Sequence, residues 1–178
     1  MPTPRIPYVT DEQAGDTPLV AAIRKRRGGD LLNLDRQLLH SPPFAAGWNA
    51  LLGSVRSELT VDARLRELAM CVVAVMNAAE YEFIHHAPEF VKAGGSVAQI
   101  AAVRRMESEP IDPSLFGELE NATIALSIQM TRIIEVEDST FATLRKHLDA
   151  TQVVELVGVV ATYNMVSRFL VALGIEPE

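Results

Sequence analysis

The sequence predicts an all-α fold, on three observations. No stretch sustains an apolar–polar alternation of period two between turn signals. Apolar residues recur instead at three- and four-residue spacing, as in Phe44, Trp48, Leu51, Leu52 and Val55. The periodic runs are bounded by helix starts and stops, such as Thr17-Pro18 before one and Gly94-Gly95 after another.

The elements follow in order. Residues 1–16, with Pro2, Pro4 and Pro7, read as an extended arm that is either loose or laid on a partner. Thr17 is an N-cap and Pro18 a first helical residue, opening a helix to about Arg27. Leu31 to His40 is a second, short helix, stopped by Ser41-Pro42-Pro43, and Phe44 to about Ser57 is a third. Thr60 caps the next, in which Leu65, Leu68, Ala69, Val72, Val73 and Met76 make an apolar face so broad that the helix belongs in the centre of the core. Glu80 to about Ala93 follows, and Ser96 with Gln99 forms a capping box for another helix. After a loop at Glu109-Pro110-Ile111-Asp112-Pro113 come a long helix from Ser114 to about Glu135, a short one from Asp138 to His147, and a last one from Thr151 to Leu173. That is about nine helices, with residues 17–178 as a single domain. Glu67–Ala74 and Glu155–Ala161 resemble each other, a weak hint of internal repetition.

Composition narrows the function classes. The 178 residues carry a formal charge of −7, which opposes a charge-driven grip on nucleic acid or an anionic membrane. The one basic run, Arg24-Lys25-Arg26-Arg27, reads as a solvated helix C-terminus complementing the dipole. Cys71 is the sole cysteine, so one chain holds neither a disulfide nor a dithiol. The start lacks an apolar signal-type stretch, and the apolar run near the C-terminus carries Glu155, Asn164 and Arg168, costly in lipid; a cytoplasmic location is expected.

Chemistry is densest between Glu67 and His86. Glu82, His85, His86 and Glu89 fall at i, i+3, i+4 and i+7, one face of a helix, and Tyr81 lies one turn from His85. Three readings compete: a solvated face of local pairs, a metal site, or a proton-transfer site. Glu82-x-x-His85 has the spacing of di-iron bundles, but those need a second such motif, and none occurs, so no metal is expected. Proton transfer needs a carboxylate and an imidazole in a partly dry pocket. Glu67 lies in the most apolar helix, either paired with Arg64 or Arg66 at the surface or buried and facing His86.

The pattern Arg64-x-Arg66-Glu67-Leu68, then Tyr81-Glu82-Phe83-Ile84-His85-His86, then Ala93-Gly94-x-Ser96 and Ile100, resembles the carboxymuconolactone decarboxylase family, which includes the alkylhydroperoxidase D branch. The upstream Asn33-Leu34-x-Arg36-x-Leu38-x-His40-x-Pro42 with Trp48, and the tail from Glu155-Leu156-Val157 through Tyr163-Asn164-Met165-Val166-Ser167-Arg168, extend the likeness to roughly residues 31–175.

The resemblance implies an alkylhydroperoxidase D-like helical domain working as a homo-oligomer, commonly a trimer or hexamer, with a dimer possible. The redox branch uses a glutamate, a C-x-x-C pair and a histidine as a proton relay. The glutamate falls on Glu67, the histidine on His86, the two cysteines on Ala79 and Glu82, and the histidine between them on Tyr81. With both cysteines absent the dithiol peroxidase mechanism has no thiols to run on. The lyase branch implies loss of CO₂ from a carboxylated lactone, of the kind met in aromatic compound catabolism, by cofactor-free acid–base chemistry. The candidate catalytic residues are then Glu67, Glu82 and His86, with Tyr81, His85 and Trp48 lining the substrate pocket. The alternatives are an alkylhydroperoxidase D-like, peroxiredoxin-class relative without the dithiol, its peroxidase activity lost or replaced by an unrecognised one, and a non-catalytic oligomer that binds a small molecule. Two departures stand out: Pro88, two residues after His86, is expected to kink its helix, and Gly95 stands where an apolar residue is more usual.

Overall fold

The computed structural model describes residues 4–178. Among them are ten α-helices and one 3-10 turn, with no strand. The helices are α1 (Asp11–Ala14), α2 (Pro18–Arg27), α3 (Asn33–Leu38), α4 (Pro42–Ser57), α5 (Ala63–Met76), α6 (Glu80–Lys92), α7 (Val97–Arg105), α8 (Glu118–Arg132), α9 (Asp138–His147) and α10 (Ala150–Leu173). The chain divides into two compact units, one of residues up to Leu59 with Leu170–Glu178, the other Thr60–Phe169.

In the first unit, α4 packs against α2 and α3. Thr17 accepts the N–H of Val20 and Pro18 opens α2; Gly28, at φ 90°, closes it in the left-handed region. The prolines expected to stop the preceding helix are instead the first residues of α4. A first helical position needs no N–H, so Pro42 and Pro43 start a helix as readily as they end one. The basic run is also not simply solvated. Arg27 makes a two-point pair with Asp35 at 2.9 and 3.0 Å, and Arg26 reaches the same carboxylate at 3.4 Å. Asp35 is 1% exposed, so these cations compensate a buried charge and fix the α2–α3 corner.

Residues 1–3 of the expected arm lie outside the described residues. From Arg5 onward the segment is tied to its own chain: Arg5 N–H donates to the Leu173 carbonyl at 3.0 Å, Arg36 to the Val9 carbonyl at 3.0 Å, and His40 Nε2 meets the Pro7 carbonyl at 2.8 Å. It is not wholly extended, because Thr10 and Gln13 form a capping box that starts α1.

In the second unit, α5 packs against α6, α7 and α8. Leu68 through Ala74 are all buried, on every side of α5, as its composition predicts. Leu68, Cys71 and Val72 meet Phe90, Ala102, Val103, Phe116 and Ile124 in one core cluster. The cap of α5 is Asp62, not Thr60. Thr60 is used otherwise: its N–H and hydroxyl, with the N–H of Val61, converge on one oxygen of Glu155 at 2.8–2.9 Å. Ser96 and Gln99 form the capping box expected for α7. The long helix expected from Ser114 is shorter, because Pro113–Leu115 forms a 3-10 turn and Gly117 then caps α8, with Glu120 reaching back to the Gly117 N–H. By length and composition α10 is apolar enough to cross a membrane. Yet Leu156, Val159, Val160 and Tyr163 are fully buried, and Glu155 and Asn164 are hydrogen-bonded within the unit, the pattern of a core helix.

Candidate active site

The site begins with the turn between α5 and α6. Ala78 sits at φ 52°, in the left-handed region. Its N–H bonds to the Val75 carbonyl at 3.0 Å, and the Ala79 N–H bonds to the Ala74 carbonyl at 2.8 Å. These are the two bonds of a Schellman closure, built here on alanine where glycine is the usual choice. The closure folds α6 straight back against α5, and α6 runs unbroken through Pro88.

Two residues of α5 one turn apart, Glu67 and Cys71, thereby face two residues of α6 one turn apart, Glu82 and His86. His86 Nδ1 lies 2.6 Å from Glu67 Oε2. A carboxylate can only accept, so Nδ1 carries the hydrogen and Nε2 is the nitrogen left to exchange a proton. His86 is 5% exposed and Glu82 2%. The surface pairing of Glu67 with Arg64 gives way to this bond, since Arg64 pairs with Glu120 at 3.1 Å.

The third side of the cluster comes from α10. Tyr163 meets the His86 ring edge-on, with centroids 4.9 Å apart, and the Ser167 hydroxyl donates to Glu82 Oε2. His86 pairs with the earlier residue of α10 and Glu82 with the later, so α6 and α10 run antiparallel here. Burial pushes the Cys71 thiol well above its usual range, and the nearby charges of Glu67 and Glu82 push it further. Both carboxylates therefore converge on one buried point.

Other expected residues are placed as follows. Tyr81 is buried and stacks on His85, with centroids 4.4 Å apart, while His85 Nδ1 donates to the Tyr81 carbonyl at 2.7 Å. Glu89, on the same face by spacing, is exposed and pairs with Lys92 at 2.8 Å. Trp48 belongs to the first unit, where it is buried edge-on to Phe44. Glu82 turns to Ser167 and His85 to Tyr81, and among the described residues no group of three His, Cys, Asp or Glu side chains converges as a metal would need. Ser167 is the site residue that the motif reading missed. Nothing in its local sequence marked it, since a helical serine is ordinarily bonded to its own backbone.

Residues 42–112 match the carboxymuconolactone decarboxylase family, a span holding Glu67, Cys71, Glu82 and His86. That match covers 71 of the 178 residues, and over this segment the chain resembles the family. Solved structures agree on the fold. A peroxidase-related protein from Ralstonia eutropha JMP134, described as an alkylhydroperoxidase AhpD core, superposes with a TM-score of 0.79 at 16% identity, covering 100% of this chain and 94% of that one. One from Silicibacter sp. TM1040, also peroxidase-related, gives 0.75 at 18% identity, covering 100% and 95%. The debrominase Bmp8, as a cysteine-to-alanine variant in complex with 2,3,4-tribromopyrrole, gives 0.76 at 14% identity, covering 96% and 90%. No match is found among curated proteins. Glu67 and His86, on which the resemblance places a glutamate and a histidine, are in contact here, while Ala79 and Glu82 stand where it places cysteines.

Proposed function

We propose that this carboxymuconolactone decarboxylase-like protein is a thiol-independent acid–base enzyme that decarboxylates a small carboxylated lactone or a close analogue. The observation that carries the reading is the 2.6 Å bond between His86 Nδ1 and Glu67 in a largely dry setting. A carboxylate on Nδ1 fixes the ring and its tautomer, so that with a proton on Nε2 the ring can stabilise negative charge developing on a substrate oxygen. In the proposed reaction the bond between the ring carbon and its carboxylate breaks. CO₂ leaves, and the electron pair passes into a dienolate whose oxygen faces His86. A proton from a buried acid, either His86 or Glu82, then adds to carbon, and solvent resupplies it.

Two further observations support this reading over a thiol peroxidase. Cys71 is fully buried, and its thiol is held away from the thiolate that peroxide attack requires. The debrominase among the structural neighbours was captured with a small halogenated heteroaromatic, a ligand of the size the reading assumes.

The test is a paired turnover assay on wild-type protein and His86→Ala. One arm follows loss of carboxymuconolactone, the other loss of an alkyl hydroperoxide with a thiol reductant. Lactone turnover should fall by roughly 10²–10⁴-fold in the variant, the usual contribution of a positioned proton-transfer group. Wild-type protein inactive in the lactone arm would overturn the decarboxylase reading. Hydroperoxide turnover that survives His86→Ala would overturn the acid–base role of the relay as well.

A further inference from the structure

The acid–base reading leaves open which buried group delivers the proton to carbon, and α10 bears on that choice. Glu82 and Ser167 are 2% and 0% exposed, and the serine hydroxyl donates to Oε2 of the carboxyl group. A serine inside a helix ordinarily turns its hydroxyl back to the carbonyl four residues earlier. Ser127 and Thr123 on α8 do so, bonding to Thr123 and Leu119 at 2.8 and 2.9 Å. Ser167 instead directs its one O–H to Glu82, across to another helix.

We propose that Glu82 is the proton donor to the substrate carbon and that Ser167 is its positioning residue. The assignment rests on the decarboxylase reading above. Two arguments carry it. First, the two couples divide the work by geometry. His86 is tied through Nδ1 to Glu67, which suits it to hold a cation against the developing oxyanion, while Glu82 stands one turn away on α6 with its own partner. Second, the hydroxyl fixes which oxygen carries the acid proton. With Oε2 accepting from Ser167, the carboxyl proton sits on Oε1, and its departure leaves a carboxylate that the same O–H stabilises without moving. The groups that share this space are Glu67 and Cys71 on α5, His86 on α6, and Tyr163 with Ser167 on α10.

The experiment has a readout that needs no turnover. Protein carrying ¹³C-labelled glutamate carboxyls is titrated by NMR, and the Glu82 signal is assigned by its loss in Glu82→Gln. Ser167→Ala removes a donor to the carboxylate, so the Glu82 midpoint should move upward, and Ser167→Thr should restore it. Ser167→Cys keeps the size of the side chain with a far weaker donor, so it reads the same shift should the alanine variant not fold. In the lactone assay, Ser167→Ala should lower kcat about tenfold with KM within about twofold, and threonine should recover it. Glu82→Gln should lose more than that. A midpoint unmoved by Ser167→Ala overturns the positioning role, and unchanged turnover in Glu82→Gln overturns Glu82 as donor. Wild-type protein that does not turn over the lactone removes the reaction and with it the donor role, while the titration still decides whether Ser167 governs Glu82.

Discussion

At the scale of single residues, the site was partly legible. Glu67 and His86 were marked by residue type and spacing, and the structure brings them into contact. Ser167 was not legible, because nothing local distinguishes a serine on an apolar helix from one bonded to its own backbone; only the antiparallel contact of α6 with α10 brings it to Glu82. Trp48, the lone tryptophan, is buried in the first unit with its ring edge-on to Phe44 one helical turn earlier. Cys71 gives a prediction at this scale. It is fully buried, and burial followed by the charges of Glu67 and Glu82 raises its thiol. A thiol so placed is neither accessible nor nucleophilic. Native protein at pH 8 should therefore leave Ellman's reagent unreduced, and one thiol per chain should appear on addition of guanidinium. Rapid reaction of the native protein would contradict this placement.

Helices and their ends are the next scale. Existence and order of the helices after α1 were readable because their apolar residues recur at helical spacing, and the caps at Thr17 and Ser96 were readable because their side chains bond locally, whereas α1, Asp11–Ala14, buries no residue and left no such signal. What failed at this scale depended on distant partners. Thr60 has the residue type of an α5 cap but is drawn to Glu155, 95 positions away. The basic run on α2 looks solvated in the sequence because its acid, Asp35, belongs to the next helix. Gly95 is explained by packing: a Cβ there would overlap the ring of Phe90, which is fully buried and cannot give way cheaply. The Schellman closure at Ala78 makes a prediction of its own. A left-handed non-glycine residue costs roughly 1–2 kcal/mol, partly offset by glycine's greater freedom in the unfolded chain. Ala78→Gly should thus stabilise the fold by about 1 kcal/mol, read as a higher urea midpoint with an unchanged slope. A lower midpoint would mean that the alanine methyl contributes more than its backbone strain removes.

For the chain as a whole, pH dependence follows from groups far from the site. Asp11 is held below its ordinary 3.8 mainly by a hydrogen bond from Arg36, Asp112 below 3.8 by its bonds to Ser114, and Glu118 below 4.5 first by Lys146 and then by His147. A carboxylate whose folded value is depressed contributes stability above its unfolded value and loses it as pH falls through the folded one. These three groups therefore leave stability intact down to about pH 5 and withdraw it below about pH 4. Lys92 works in the opposite direction. Glu89 raises it above 10.5, so its contribution is present below that value and lost as pH rises through the folded one. All four groups lie at the surface, where water and salt screen such pairs, so their share of the acid limb should shrink as salt rises. Thermal melts from pH 3 to 10 at about 0.02 M and 0.5 M salt separate the effects: the melting temperature should be flat from about pH 5 to 9 and fall below pH 4, less steeply at the higher salt. The sequence pI is about 5.1, so protonating carboxylates below that value builds net positive charge, whose self-repulsion adds to the fall. A melting temperature that stays level or rises toward pH 3 would show that the ion pairs at Asp11 and Glu118 contribute little to the fold.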